Sequence, residues 1–142
     1  MMRDAEKTIG NLIDKQSTAY VSFITDNDYP STRAMLAPRK REGIRVFYLT
    51  TNTSSRHAQV YKVRSKACLY VCDRRFFRGV VLEGEMEVLE DSDAKRMIWQ
   101  DGDTIYYPLG VDDPDYCVLR FTAHKGRYYS QFKSEDFLIE EH

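Results

Sequence analysis

Apolar and polar residues alternate along most of this chain, which is the pattern of β-strands with one buried and one solvated face. Apolar positions at helical spacing predict an amphipathic N-terminal helix over 3–16 and two further helices, one over 56–64 and one after the capping segment 90–93. Predicted strands cover 19–25, 31–36, 43–49, 67–72, 76–89, 116–122, 127–132 and 137–139. This order favours a small, mostly antiparallel β-barrel over an open sheet, because closure removes exposed edges.

Gly84 lies inside the longest of these strands, where a glycine indicates a bulge, a bend or the close approach of another group. Glu83, Glu85 and Glu87 alternate around it with apolar residues. We interpret these carboxylates as the solvated face of a strand, with acid–base catalysis as the alternative.

Short polar segments between the strands predict turns at Asp26–Pro30, Arg39–Arg41, Arg74–Arg75 and His124–Gly126. The basic residues in two of them are interpreted as solvated turn charges. With a net charge of -1 over 142 residues, the chain has no electrostatic reason to bind nucleic acid. The length predicts a single domain covering residues 1–142.

The first ten residues carry charges throughout, and no later run approaches the roughly 20 apolar residues of a membrane span. We therefore expect a cytoplasmic protein without a membrane partner. Cys68, Cys72 and Cys117 stand in apolar segments without a CxxC spacing, which favours reduced, buried thiols. Only His57 and His124 lie within the predicted fold, so we expect no metal site.

The segment 46–57 runs from an apolar strand through short polar residues into a predicted helix. Ser55 is placed to cap a helix that begins at Arg56. A phosphate at that position would meet unpaired backbone N–H groups, neighbouring hydroxyls and the Arg56 guanidinium. From spacing alone an ordinary helix cap is the simpler interpretation, and an anion site is the alternative.

Three segments occur in a recognisable order: YPSTRAML at 29–36, FYLTTNTSSRH at 47–57 and VLEGEMEV at 81–88. On these segments the chain resembles the pyridoxamine 5'-phosphate oxidase-like, FMN-binding split-barrel proteins, and most closely their short general-stress-protein branch. The similarity covers roughly residues 9–131.

The resemblance implies a mainly β fold with flanking helices, a six-stranded antiparallel split β-barrel. It also implies a homodimer that holds FMN at the subunit interface. The positions matching the family's cofactor-binding residues are Arg33, Ala34, Met35 and Leu36 along the flavin, Tyr48, Leu49, Thr50 and Thr51 beside the isoalloxazine, and Ser55, Arg56 and His57 at the phosphate. His57 stands where the family commonly has a lysine.

Other positions depart from the family pattern. Gly79 stands near a position that is glutamine in the full-length oxidases, and Tyr129 is the nearest match to their late tryptophan. No arginine-rich segment follows Phe132. These departures argue against pyridoxamine 5'-phosphate oxidation itself.

Two functions follow as hypotheses. The first is an FMN-dependent oxidoreductase, and the second is a non-catalytic module that binds flavin, or another phosphorylated or tetrapyrrole ligand, as a sensor. A deazaflavin or haem ligand is a third option. Trp99 is interpreted as a core or dimer anchor, and the loop 101–114, with Tyr106 and Tyr107, either covers the partner's cofactor or packs on the surface.

Overall fold

The computed structural model describes Met2 and residues 4–139, so Arg3 of the predicted first helix lies outside the described residues. The helices are α1 (Ala5–Asp14), α2 (Arg56–Tyr61), α3 (Ser92–Ile98) and a 3-10 turn at Asp103–Ile105. The strands are β1 (Thr18–Ile24), β2 (Pro30–Leu36), β3 (Lys40–Glu42), β4 (Val46–Asn52), β5 (Lys66–Asp73), β6 (Arg78–Leu89), β7 (Tyr116–Ser130) and β8 (Lys133–Leu138). The predicted mainly β class is confirmed.

The strands form one antiparallel sheet in the order β2-β1-β5-β6-β7-β4-β3, with β8 paired to the second half of β7. The sheet curls until β2 comes close to β4, yet no hydrogen-bonded ladder joins these two strands. This gap is the split of a split barrel, as expected. The sheet has eight strands, two more than the resemblance implies.

The barrel interior is filled by the alternating inward residues of the strands, and α1 closes one side. Ile9, Leu12 and Ile13 of α1 lie on one stripe and are buried in this core, as the helical spacing predicts. Asp4 caps the helix through a 3.1 Å hydrogen bond that its Oδ1 accepts from Lys7 N. A second, smaller apolar cluster packs α3 against the outer face of β4 and β7.

Gly84 marks an irregularity between β6 and β7. The pairing changes from Glu83 with Lys125 to Gly84 with Ala123, so His124 is the extra residue of a bulge. A Cβ atom on Gly84 would lie 1.9 Å from the Thr122 carbonyl oxygen, which explains the glycine by close backbone approach.

The predicted turn at His124–Gly126 is wrong, because β7 continues through it. A glycine usually indicates a turn, but Gly126 is needed for packing. A Cβ atom at this position would lie 2.5 Å from Phe137 Cζ, so only a residue without a side chain fits. Glu85 pairs with His124 at 3.1 Å and Glu87 pairs with Arg120 at 2.8 Å on the exposed surface, consistent with a solvated strand face.

The interpretation of Arg39–Arg41 as solvated turn charges is wrong for Arg39 and for the turn, since 40–42 form β3, whereas Lys40 and Arg41 do lie at the surface. Arg39 forms a nearly buried ion pair with Asp103 at 2.8 Å, and Arg41 binds both carboxylate oxygens of Asp14. Lys40 lies between them in the short strand β3. A basic run of this kind cannot be distinguished from a solvated turn unless its distant partners are known.

Across residues 4–139 and Met2, no helix is both long and apolar enough to cross a membrane.

Candidate functional site

A cleft of about 210 Å³ opens at the split between β2 and β4. Three parts of the chain line it: β2, the end of β4 with the first turn of α2, and the connection from α3 to β7. The lining residues are Arg33, Ala34, Met35, Leu36, Thr50, Thr51, Asn52, His57, Tyr106 and Tyr107. The cleft therefore combines one cation, several neutral hydrogen-bonding groups, an apolar strand and two aromatic rings.

Arg33 supplies the positive charge of this cleft. It lies on β2, an edge strand that is largely exposed to solvent. Within the described part of the chain, no carboxylate pairs with its guanidinium and no hydrogen bond fixes it. An arginine that is held by nothing else presents its planar fork of donors to an anion entering the cleft.

His57 forms part of the cleft lining and is 2% exposed. Its Nε2 lies 2.7 Å from Thr51 Oγ1 and 3.2 Å from Ser55 Oγ. Burial, together with the nearby charge of Arg33, lowers the pKa of His57 from 6.5 to about 4. The imidazole is therefore neutral at pH 7, where it offers a hydrogen bond without a charge.

Tyr106 and Tyr107 reach the cleft from the connection between α3 and β7. Tyr107 is buried and packs against Tyr116, with ring centroids 4.7 Å apart, and against Trp99. Burial raises the pKa of Tyr107 to about 12, so its phenol stays protonated. Tyr106 is half-exposed, meets Tyr107 edge-on and is one of the residues that line the cleft.

Asp103 holds both tyrosines in place. Its backbone carbonyl accepts hydrogen bonds of 2.9 Å from the N–H groups of Tyr106 and Tyr107. Its carboxylate accepts two hydrogen bonds from Arg39, at 2.8 and 3.0 Å, and one from Gln100 N. The hydrogen bond from Arg39, opposed by burial, lowers the pKa of Asp103. The chain just after β2 is thereby fastened to the segment that carries the two rings.

Four of the residues predicted to bind the cofactor do not line this cleft. Leu49 is in the barrel core, and the Tyr48 hydroxyl donates to Glu42 Oε2 at 3.0 Å. Ser55 caps α2 as predicted, accepting from Ala58 N at 3.2 Å. Arg56 lies over the Phe23 ring and lines a neighbouring depression with Gln59 and Arg64.

Sequence reasoning did not include Asn52, Tyr106 or Tyr107 among the site residues. Asn52 directly follows the predicted residues of β4, and the sequence places the two tyrosines in a loop whose role it leaves open. Position in the chain signals neither tyrosine, because Asp103, which holds both of them, is fixed by Arg39, 64 residues away.

A family model described as "Pyridoxamine 5'-phosphate oxidase like" matches residues 4–139. The chain belongs to the pyridoxamine 5'-phosphate oxidase-like family. The family prediction made from the three segments is therefore confirmed. No curated protein matches the chain.

Solved structures show the same fold. A Clostridium acetobutylicum protein related to general stress protein 26 of B. subtilis, of the pyridoxinephosphate oxidase family, is 40% identical, with 98% of this chain and 97% of that chain covered and a TM-score of 0.89. General stress protein 26 from Bacillus anthracis is 20% identical. The match covers 94% of this chain and 98% of that chain, with a TM-score of 0.78. A heme binding protein from Mycobacterium smegmatis is 14% identical. The match covers 97% of this chain and 59% of that chain, with a TM-score of 0.77.

The residues that line the cleft differ in how well they suit a phosphorylated flavin and a haem. A phosphorylated flavin needs a cation, hydroxyl and amide partners, and a flat apolar wall, and the cleft offers all three. A haem needs an axial ligand on iron, and His57 is the histidine that lines the cleft. Because His57 Nε2 is buried against Thr51 and Ser55, ligation would require these contacts to break. The residues fit FMN better than haem.

Proposed function

We propose that this protein binds FMN in the cleft between β2 and β4 and acts as an FMN-dependent oxidoreductase. Bound flavin supplies the redox chemistry. The chain supplies the anion contact of Arg33, the neutral hydrogen bonds of Thr51 and His57, and an apolar wall from Ala34 to Leu36. Arg33 is the observation that supports the proposal most directly, because it is a cation beside a buried, neutral histidine and no carboxylate of residues 4–139 pairs with it.

We also propose that the working unit is a homodimer. The cleft volume of about 210 Å³ is below the roughly 300–1,000 Å³ of pockets that enclose a ligand of this size. One chain therefore encloses only part of an FMN molecule. The exposed apolar residues near the cleft, Leu36 and Ile105 among them, are suited to contact a second copy that covers the remainder.

The first test is an absorption spectrum of the purified protein, followed by titration with FMN. Arg33→Ala is expected to weaken FMN binding by about 1.5–3 kcal/mol, the range for hydrogen bonds to charged groups. Riboflavin, which lacks the phosphate, is expected to bind wild type and variant alike if Arg33 contacts the phosphate. Wild-type protein that neither carries nor binds flavin would refute the proposal.

Arg56→Ala distinguishes between two phosphate sites. The family resemblance assigns phosphate binding to Arg56, and a loss of about 1.5–3 kcal/mol in that variant would support this assignment. Arg56 is not among the residues that line the cleft and lines a neighbouring depression instead, so a smaller loss than in Arg33→Ala would support a phosphate site at Arg33. Arg127→Ala is the matched control, since Arg127 pairs with Asp136 on the β7–β8 hairpin.

A non-catalytic flavin-binding module is the second candidate. It is favoured by His57, because a histidine with a pKa of about 4 is a poor general acid or base at pH 7. The two functions separate when FMN-loaded protein is mixed anaerobically with NADH or NADPH. Bleaching of the flavin, followed by electron transfer to an added acceptor, supports the oxidoreductase, and a stable oxidised spectrum supports the module.

A further inference from the structure

We infer that Tyr106 is the ring-selecting residue of this cleft: it stacks against the isoalloxazine and makes the site prefer flavins over phosphorylated ligands that lack an aromatic ring. This inference rests on the proposed function and adds a specific residue and a ligand preference to it. Neither the three motif segments nor the family match assigns a role to Tyr106.

The first argument is the combination of exposure and fixed support. Tyr106 is 50% exposed, whereas its neighbour Tyr107 is 4% exposed. A large aromatic side chain usually buries its ring when it can, since removing apolar surface from water is favourable. Here the ring meets Tyr107 edge-on, with centroids 6.2 Å apart, and Tyr106 is one of the residues that line the cleft.

The second argument is that the backbone beneath Tyr106 is held by buried polar contacts. Asp103 binds Arg39 through both oxygens, and the side chains of this pair are only 5% and 11% exposed. The carboxylate of Asp113 accepts hydrogen bonds from Leu109 N and Asp115 N farther along the same connection. A flexible surface loop has no need of two buried carboxylates, whereas a binding surface gains affinity from such preorganisation.

The third argument comes from the other groups in the cleft. Arg33 and the hydroxyls of Thr50 and Thr51 can recognise any phosphate or other anion, with or without a ring. Met35 and Leu36 add an apolar surface without directional preference. Tyr106 is the half-exposed aromatic ring of the lining, and aromatic pairs prefer stacked or edge-on geometry. It therefore gives the cleft a means of recognising a planar heterocycle.

The test compares Tyr106→Ala, Tyr106→Phe and wild type in titrations with FMN and with riboflavin. We expect Tyr106→Ala to weaken binding of both flavins by the same factor, about 3- to 10-fold, the range for an aromatic pair. Tyr106→Phe keeps the ring and is expected to stay within about 2-fold of wild type. Tyrosine in contact with a flavin quenches its fluorescence, so flavin bound to Tyr106→Ala should fluoresce more strongly.

Leu109→Ala is the matched control, because Leu109 is 74% exposed on the same connection and does not line the cleft. Tyr106→Leu keeps an apolar side chain without the ring and should show the same gain in fluorescence as Tyr106→Ala. If wild type binds flavin and both ring-deleted variants match it in affinity and quenching, the inference is overturned while the proposed function stands. If wild type binds no flavin, the proposed function fails and the inference fails with it.

Discussion

His57 is a buried histidine whose environment opposes its protonation. The ring packs beside Phe23 and Tyr61, and its Nε2 faces the hydroxyls of Thr51 and Ser55. Arg33 adds an unfavourable positive charge to the effect of burial. A lysine at this position, as is common in the family, would have to bring a full charge into the same pocket. The neutral imidazole explains how this chain fills the position without an additional counter-ion.

Acid should therefore destabilise the fold through His57. A histidine with a folded pKa of about 4 and an ordinary pKa of 6.5 contributes stability that is complete above pH 6.5. This contribution is lost as the pH falls toward 4, because the unfolded state binds the proton more readily. The residue should account for about 2 kcal/mol of lost unfolding free energy between pH 7 and pH 5.

Urea unfolding of wild type and His57→Gln at these two pH values measures the effect. The variant should lose most of the pH dependence that wild type shows between them. His124→Gln is the control, since His124 is exposed and pairs with Glu85 at the surface. An unchanged slope in His57→Gln would show that this histidine is not held neutral by its surroundings.

Local sequence chemistry predicted some residues of the site and not others. The Ser55 cap follows from a hydroxyl at the boundary between a polar turn and a helix, and the structure shows it. The positions of Arg33 and Thr51 follow from motif order, and both line the cleft. Asn52 continues β4 directly after Thr51, so strand continuity is the signal that could have identified it. The positions of Tyr106 and Tyr107 depend on contacts between distant parts of the chain, which no local pattern records.

At the scale of elements, the strand alternation predicted most of the sheet. β1 and β5 alternate strictly between buried and less buried residues, so period-two patterning locates them. β4 is instead buried on both faces, by the core on one side and by the α3 cluster on the other. The wrongly predicted turn at His124–Gly126 within β7 arises from a glycine with a packing role. Gly126 makes room for Phe137, and a glycine needed for packing looks the same in the sequence as a glycine needed for a turn.

The ion pair between Arg39 and Asp103 joins two elements, and its loss should be costly. Because both side chains are almost fully buried, Arg39→Ala leaves a buried carboxylate unpaired. We expect a loss of about 3–5 kcal/mol in unfolding free energy, measured by urea denaturation. The control is Arg96→Ala, whose exposed partner Asp112 lies 3.9 Å away, with an expected loss of about 0–1 kcal/mol.

The same pair should also affect ligand binding, since Asp103 positions Tyr106. At a temperature where Arg39→Ala remains folded, its FMN affinity should fall and bound flavin should be less quenched than in wild type. Asp103→Asn keeps the shape of the side chain but removes its charge, and it should show a milder form of both changes. An Arg39→Ala variant that is strongly destabilised yet binds flavin as tightly as wild type would show that the Arg39–Asp103 ion pair does not influence flavin binding in the cleft.

At the scale of the whole molecule, the open split and the edge strand β2 require an explanation. Edge strands of soluble proteins usually carry charges, bulges or a covering segment that prevents pairing with other chains. β2 has one charge, Arg33, and otherwise presents residues such as Ala34 and the 41% exposed Leu36. The weakly protected edge strand β2 lies beside a cleft that one chain encloses only in part. This arrangement suits a dimer in which the second copy covers β2 and completes the site.

We therefore expect sedimentation equilibrium to give twice the 16.7 kDa mass of one chain. Leu36→Asp should shift the flavin-free protein toward monomer, because a carboxylate buried without a partner at an interface is strongly unfavourable. Leu138→Asp, at an exposed position of β8, is the matched control and should remain dimeric. Since FMN would bind both subunits, it should strengthen the dimer, and dilution should release flavin and monomer together. A wild-type monomer that binds one FMN at full affinity would show that a single cleft is sufficient.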